Sequence, residues 1–304
     1  MTLTTSVETT PATEAQPGFS QKHPKRRLTR RAFLTLSAAS LGGLALYAGE
    51  VSRHELSIET VTLPLPRLPD AFRGLRIVQV SDFHYAEFTE PYFLREMVDH
   101  VNRLQPDMVV LTGDFVSYAP LGTSFGRRCA PKCAEILSRI DCPTRYASLG
   151  NHDYYVGWQY VAGPLRDAGI PVLVNAAIPL ERQGQRLWLA GLGSACSHAA
   201  RPAEAIPKAV LKAKEAVIVL AHEPDILPEV ARYGVDLMLS GHTHGGQVRI
   251  PFLPLIDLPE YGKRYVEGLF HHGATQLYVN RGIGTVGVPF RFRCPPEITV
   301  ITLA

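Results

Sequence analysis

Apolar and polar positions change rhythm several times along this chain. "LRIVQVSD", Leu75 to Asp82, is a short β-branched run that ends in polar residues. "PYFLREMVDHVNRLQ", Pro91 to Gln105, has helical periodicity and opens on proline, a favoured first-turn residue. "DMVVLTGD" (Asp107 to Asp114) is another apolar run, and "CAEILSRI" (Cys133 to Ile140) reads as helix. "TRYASLGNHD" (Thr144 to Asp153) is a third strand-to-loop segment, with a helix expected around Val161 to Ala168. "RLWLAGLGS", "AVIVLAHEPD", "DLMLSGHTHGG", "TQLYVN" and "EITVITL" supply further strands.

Strands alternating with helices indicate an α/β protein. Runs that are apolar nearly throughout fit strands covered on both faces. The segments from Val172 to Leu192 and beyond Gly246 look more purely β. The expected architecture is therefore two packed mixed β-sheets flanked by helices. Polar residues gather where the strands end, and open α/β sheets usually place their ligands there.

Composition changes this picture little, but charge distribution does. The chain has 304 residues, 46% hydrophobic and 19% charged, which is ordinary for a globular protein. Its net charge of +3 is concentrated at the start. Residues 1–50 hold Lys22, Lys25, Arg26, Arg27, Arg30 and Arg31 against Glu8, Glu14 and Glu50. Subtracting these from totals of 31 basic and 28 acidic residues leaves 25 of each, so the body is neutral. A nucleic-acid partner would call for a basic surface, and none is expected.

Met1 to Ser20, rich in Thr, Pro and Glu, reads as disordered. "TRRAFLTLSAASLGGLALYA", Thr29 to Ala48, then resembles a twin-arginine export signal, with Thr35 where a lysine is often found. The implied location is the periplasm or the outer face of the cytoplasmic membrane. The apolar stretch is shorter than the roughly 20 residues of a membrane span. No clear A-x-A site follows it, which leaves an uncleaved tether as the alternative to cleavage. The expected organisation is a leader over residues 1–50 and one catalytic domain over residues 51–304. Five cysteines are too few for a disulfide scaffold, and Cys129, Cys133 and Cys142 are read as structural or unpaired thiols.

Five strand-like runs end in candidate metal ligands: "SDFH", "TGDF", "GNHD", "AHEPD" and "GHTH". Each alone is an ordinary cap or loop residue. Together they bring many polar groups to one end of the strands, where burial without a shared cation would leave them unsatisfied. The set and its order resemble the calcineurin-like metallophosphoesterases, whose pattern is D-x-H, G-D, G-N-H-D/E, H and G-H-x-H. Every block is present in order: Asp82-Phe83-His84, Gly113-Asp114, Gly150-Asn151-His152-Asp153, His222 and Gly241-His242-Thr243-His244. The resemblance runs from about Leu75 to the C-terminus.

That resemblance implies a four-layer αββα sandwich and two divalent metal ions. Asp82, His84 and His244 would bind the first ion, and Asn151, His222 and His242 the second, with Asp114 bridging. His242 and His244 would thus feed different metals across a bend made by Gly241, Gly245 and Gly246. Mixed carboxylate, imidazole and amide donors suit Mn, Fe or Zn better than copper. Two such ions can hold a bridging hydroxide for in-line attack on phosphorus. His152 would be the general acid, with Asp153 orienting its imidazole.

The G-D block lacks the Asp-Arg-Gly extension of protein serine/threonine phosphatases, since Phe115-Val116-Ser117-Tyr118 follows Asp114. The leader, "GHTHGGQ" and the tail "NRGIGTVGVPFRFRCPPEITVITL" look more like exported bacterial phosphodiesterases of the cell envelope. A UDP-2,3-diacylglucosamine-type pyrophosphatase and a non-catalytic metal-bound binding module are the alternatives. "RIPFLPLIDLPEYGKRY", Arg249 to Tyr265, carries Phe252, Leu253, Leu255, Ile256 and Leu258 between prolines. It reads either as a loop packed onto the core or as an apolar lip for membrane or lipid-linked substrate, the first being preferred. Arg281 and Arg291 could meet phosphate or serve in ion pairs.

Overall fold

Residue-by-residue alternation decides which core each strand side chain enters. In β2 (Arg76–Val80) and β3 (Met108–Thr112), Ile77, Met108 and Val110 face one side, whereas Val78, Val80, Val109 and Leu111 face the other. In β7 (Val217–Leu220) and β8 (Leu237–Ser240), Ile218, Leu220, Leu237 and Leu239 join the first of these sets. Two sheets therefore share an inner core and bury their outer faces separately. The computed structural model describes residues 29–304 except 86, 119–121, 207, 209, 211–214 and 256–257. The segment expected to be disordered, Met1 to Ser20, and Ile256 lie outside the described residues.

The first sheet has the order β1-β11-β2-β3-β4, with β1 at Ser57–Leu63, β4 at Arg145–Ser148 and β11 at Glu297–Leu303. Its β2, β3 and β4 run parallel, and β11 is antiparallel to β2. The second sheet has the order β5-β6-β7-β8-β10-β9. Here β5 is Ala176–Arg182, β6 Gln185–Gly191, β9 Gly268–His272 and β10 Thr275–Val279. The central strands β6, β7, β8 and β10 are parallel and the two outermost are antiparallel. Both sheets are mixed, as expected.

Helices cover the outer face of the first sheet. α2 (Pro91–Leu104) buries Phe93, Leu94, Met97, Val98 and Val101, the spacing of one helical face. It ends where Gln105 turns left-handed at φ 47°, just ahead of Pro106. α3 spans Thr123–Leu137 and α5 spans Trp158–Asp167. α3 therefore starts well before the expected Cys133. Gly126, Pro131 and the cations of "GRRCAPK" disguise a helix that is recruited by burying Gly126, Cys129, Ala130 and Cys133. A short helix, α4 (Asn151–Val156), occupies what reads in sequence as loop. Beyond the second sheet, Ala205, Ile206, Leu227 and Val230 close the opposite core. All five cysteines are free thiols.

The N-terminal helix is longer than its apolar stretch suggests. α1 (Arg30–Leu46) continues through a wide turn at Tyr47–Val51 and a tight one at Ser52–His54. The whole helix, Arg30–His54, is 25 residues, long and apolar enough to cross a membrane. The chain divides into two compact units, Met1–Gly42 and Gly43–Ala304. Within the second unit, Ala48, Gly49, Ser52 and Arg53 are buried.

Candidate metal centre

Strands of both sheets end at one place and deliver the polar residues there. Asp82 and His84 follow β2, Asp114 follows β3, and Asn151 opens α4 just after β4. His222 follows β7, and His242 and His244 follow β8. The backbone is bent hard to aim them. Asp82, His84, Asp114, His242 and His244 all have positive φ, from 43° to 76°. Such conformations cost roughly 1–3 kcal/mol each for non-glycine residues and persist where the surroundings over-determine them. Gly241 serves close approach, because a Cβ there would lie 2.0 Å from Ser81 Oγ and 2.2 Å from Asp82 Oδ2. Gly245 and Gly246, at φ 59° and 78°, turn the chain immediately after His244.

Donor atoms converge in two overlapping sets. Asp82, His84 and His244 form one, Asp114, His222 and His242 another, and Asp114 also meets His84 and His152. His84 Nε2 lies 3.0 Å from His244 Nε2, and His244 Nε2 is 3.4 Å from Asp82 Oδ1. Asp114 Oδ2 is 3.1 Å from His222 Nε2 and 3.6 Å from His84 Nε2. Ligands about 2.1 Å from one shared ion stand roughly 3.0–3.4 Å apart, close to these separations. Asn151 Oδ1 and His222 Nε2 are buried without a hydrogen-bond partner. Buried polar atoms are seldom left so, and a divalent cation would satisfy both. The donor set fits two metal ions.

Each imidazole is oriented from behind. His222 Nδ1 donates to the Thr112 carbonyl at 2.7 Å, which directs Nε2 inward. His242 Nε2 donates to the Glu260 carbonyl at 2.7 Å, leaving Nδ1 free. His84 Nδ1 meets Ser117 Oγ at 2.7 Å. Burial holds His84, His242 and His244 below the ordinary imidazole pKa, with nearby His152 and His244 adding to the effect at His84. At His244 the second cause is Arg291, whose Nη2 is 3.3 Å from Nδ1. These three are held in the neutral form that a metal needs. His222 goes the other way: burial opposes its charge, but Asp114 and Asp82 raise it well above the usual value.

His152 lines the cleft among rings, 4.7 Å from His84, 4.9 Å from Tyr118 and 6.3 Å from Tyr155, centroid to centroid. Asp153 does not orient it. The Asp153 carboxylate accepts backbone N–H groups from Asp114 and Phe115 at 2.9 Å and Gly150 at 3.0 Å. It caps α4 and pins the loop carrying Asp114, and no hydrogen bond joins it to the imidazole it was expected to hold. Burial and then Asp114 raise its pKa to about 8, against the pull of those amides.

Other sequence readings also resolve. Arg291 is fully buried, with its guanidinium donating to the carbonyls of Arg281, Gly282, Gly284 and Cys294. Arg281 pairs with Glu59 at 2.7 Å and Glu297 at 2.9 Å. Neither is placed to meet phosphate. Sequence reasoning missed Ser117 and Glu87. The Glu87 carboxylate lies 4.0 Å from His84 Nδ1 and accepts the Gly287 N–H at 3.1 Å. Nothing in their residue types marks them out. A cavity of about 570 Å³ stands over the centre, with Val248, Pro259, Val286, Val288 and Phe290 as its apolar wall. The Arg249 to Tyr265 loop does not fold its apolar residues onto the core as preferred: Phe252 is fully exposed, and Leu253 and Leu255 are 56% and 37% exposed.

A sandwich of this order with carboxylate and imidazole donors at its strand ends defines a metal-dependent phosphoric ester hydrolase. Residues 75–246 match the calcineurin-like phosphoesterase family, and the chain belongs to it. It is 32% identical to the uncharacterized metallophosphoesterase YkuE of Bacillus subtilis, over 93% of this chain and 98% of that protein. It is 30% identical to phosphodiesterase YaeI of Escherichia coli, over 91% and 99% respectively. A transmembrane protein with metallophosphoesterase domain from Danio rerio is 31% identical over 86% of this chain and 60% of its own length.

Proposed function

We propose that this chain is an exported, dinuclear-metal phosphodiesterase of the cell envelope. Asp82, His84 and His244 would hold one cation and Asn151, His222 and His242 the other, with Asp114 placed between the two sets. When bound, Mn, Fe or Zn ions supply the charge that activates water at phosphorus and offsets charge on the phosphoryl oxygens. Water adds its oxygen to phosphorus, the bond to one alcohol breaks, and His152 delivers the proton that alcohol needs. Asp153 fixes the loop that carries Asp114.

The observation carrying this reading is the convergence of imidazoles and carboxylates in a cleft that also holds Asn151, with Asn151 Oδ1 and His222 Nε2 buried and unpartnered. Phosphodiesterase YaeI, similar over nearly its whole length, supports diester chemistry. Arg30 and Arg31 at the start of an apolar helix support the twin-arginine route to the outer side of the membrane. The decisive assay uses full-length protein stripped of metal and resupplied with Mn, Zn, Fe or nothing. Hydrolysis of bis(p-nitrophenyl) phosphate should require metal and be lost in Asp114→Asn. Failure to bind two metals per chain would sink the assignment.

The apolar cleft wall also suits a lipid-linked pyrophosphate on the same residues. Turnover of UDP-2,3-diacylglucosamine but not of simple diesters would select that reading.

A further inference from the structure

We infer that the cleft opens at a membrane surface and takes phosphodiesters whose alcohol is held in the bilayer by acyl chains. The foot of the N-terminal helix and the rim of the cleft then form one bilayer-facing edge. The inference rests on the phosphodiesterase reading and adds where its substrate resides.

The helix foot is built into the cleft wall. The Ala48 carbonyl accepts the Arg291 N–H at 3.0 Å. Gly49 sits so close to Phe290 that a Cβ there would lie 3.0 Å from the ring, and Phe290 lines the cleft. One turn on, Arg53 donates to the Phe88 carbonyl and to Glu90, each at 2.5 Å. Leu44, Leu46, Tyr47 and Val51 stay exposed on the same stretch. At 1.5 Å per residue, Leu46 stands only about 5 Å along the helix from Gly49. A bilayer entered by this helix therefore begins within a turn of the cleft wall.

The rim continues that apolar surface. Arg249 N–H donates to the Phe292 carbonyl at 3.0 Å, and Val248 bridges to Phe292, so the loop and the wall form one ribbon. Leu255 packs over Gly246 in the cleft lining, and beyond it Leu253, Phe252 and Ile250 are exposed, as is Val288 of the wall. Single exposed apolar side chains are commonplace, but several on linked segments, tied to the foot of a helix able to span a membrane, point to a lipid contact. The cavity, about 570 Å³, suits a phosphodiester headgroup. Long acyl chains must stay outside it, along the rim.

The test compares two diesters that share a leaving group, using full-length protein in vesicles of phosphatidylcholine and phosphatidylglycerol with Mn supplied. Methyl p-nitrophenyl phosphate is offered in solution and hexadecyl p-nitrophenyl phosphate in the vesicle. The hexadecyl ester should show kcat/KM at least tenfold higher. Phe252→Ser/Leu253→Ser should abolish most of that advantage and leave the methyl ester unchanged. Turnover of the methyl ester with no gain from the chain, or equal loss on both esters in the variant, overturns the inference and leaves the phosphodiesterase reading standing. Turnover of neither ester overturns the phosphodiesterase reading, and this inference with it. Independently of activity, Phe252→Trp should be quenched by dibrominated phosphatidylcholine beyond the baseline of Trp158 and Trp188. Quenching no greater than that baseline also overturns the rim contact.

Discussion

The floor of the cleft and its rim follow opposite physical logics. On the floor the polar groups are buried and held from behind: His222 by Thr112, His242 by Glu260, His84 by Ser117, and Asp153 by three amides. The atoms left over point at one another and call for cations. On the rim Phe252 and Leu253 are exposed on irregular, proline-broken backbone, with Leu255 behind them against Gly246. The floor is determined by the chain itself, whereas the rim gains a purpose only from something outside it. Chemistry and address are thus carried by different residues, and each should be breakable without the other.

The largest effects belong on the floor. Asp114→Asn removes the carboxylate that meets both His84 and His222, and metal-dependent turnover should fall about a thousandfold, in line with losing a transition-state electrostatic contact. His152→Ala should cost about 10²–10⁴-fold, the usual worth of a general acid. The loss should be greatest for diesters of alkyl alcohols and smallest for p-nitrophenyl esters, whose leaving group needs little protonation. Steady-state rates on the two ester classes measure this. Equal losses on both would remove His152 from the proton-transfer role.

Asp153 comes next. Asp153→Ala orphans the N–H groups of Asp114, Phe115 and Gly150 inside the protein. At about 1–3 kcal/mol for each unsatisfied group, stability should fall by about 3 kcal/mol or more. Asp153→Asn keeps an acceptor and should recover much of that loss. Denaturant melts give the stabilities, and kcat of the surviving Asn variant separates the roles. A kcat loss equal to that of His152→Ala, with stability intact, would restore the orienting role that the geometry removes.

These three predictions differ in how much of their basis is legible in sequence. Asp82, Asp114, His222 and His242 are legible because each stands at the end of a run that is buried on both faces, where a polar residue has no other reason to be. The amides that Asp153 caps have no signature in residue type, so its true partners are invisible. α3 hides behind Gly126 and Pro131. β1, an outer strand half exposed along its length, carries Glu59, Thr60 and Thr62 and lacks the continuous apolar signal of β2 and β3. The rim misleads for another reason: apolar residues default to the core, and sequence records composition without recording what covers it. The helix foot is hidden similarly, since Arg53 looks like a solvated helix end yet is buried against Glu90.

A smaller effect concerns protons. His84, His242 and His244 are depressed by burial, so at neutral pH they hold no proton that a metal must displace. His222 is raised by Asp114 and Asp82 and does hold one. Metal binding must release it, so affinity should rise with pH across neutrality by up to about tenfold per unit, the limit for one proton. Calorimetric titration with Mn at pH 6.5 and 8 measures the slope. Flat affinity would mean that His222 is already neutral in the free protein.

The smallest effect is the sharpest test of the comparison. Phe252 is fully exposed and Leu253 mostly so, and neither has a partner in a regular element. Surface changes away from packing, caps and buried charge usually stay within about 0.5 kcal/mol. Phe252→Ser/Leu253→Ser should therefore leave the melting midpoint in detergent and the affinity for Mn unchanged. A drop above about 1 kcal/mol would exceed that range and show that the rim packs as part of the fold after all. The floor would then depend on the rim, and the separation of chemistry from address would fail at the cheapest place to look.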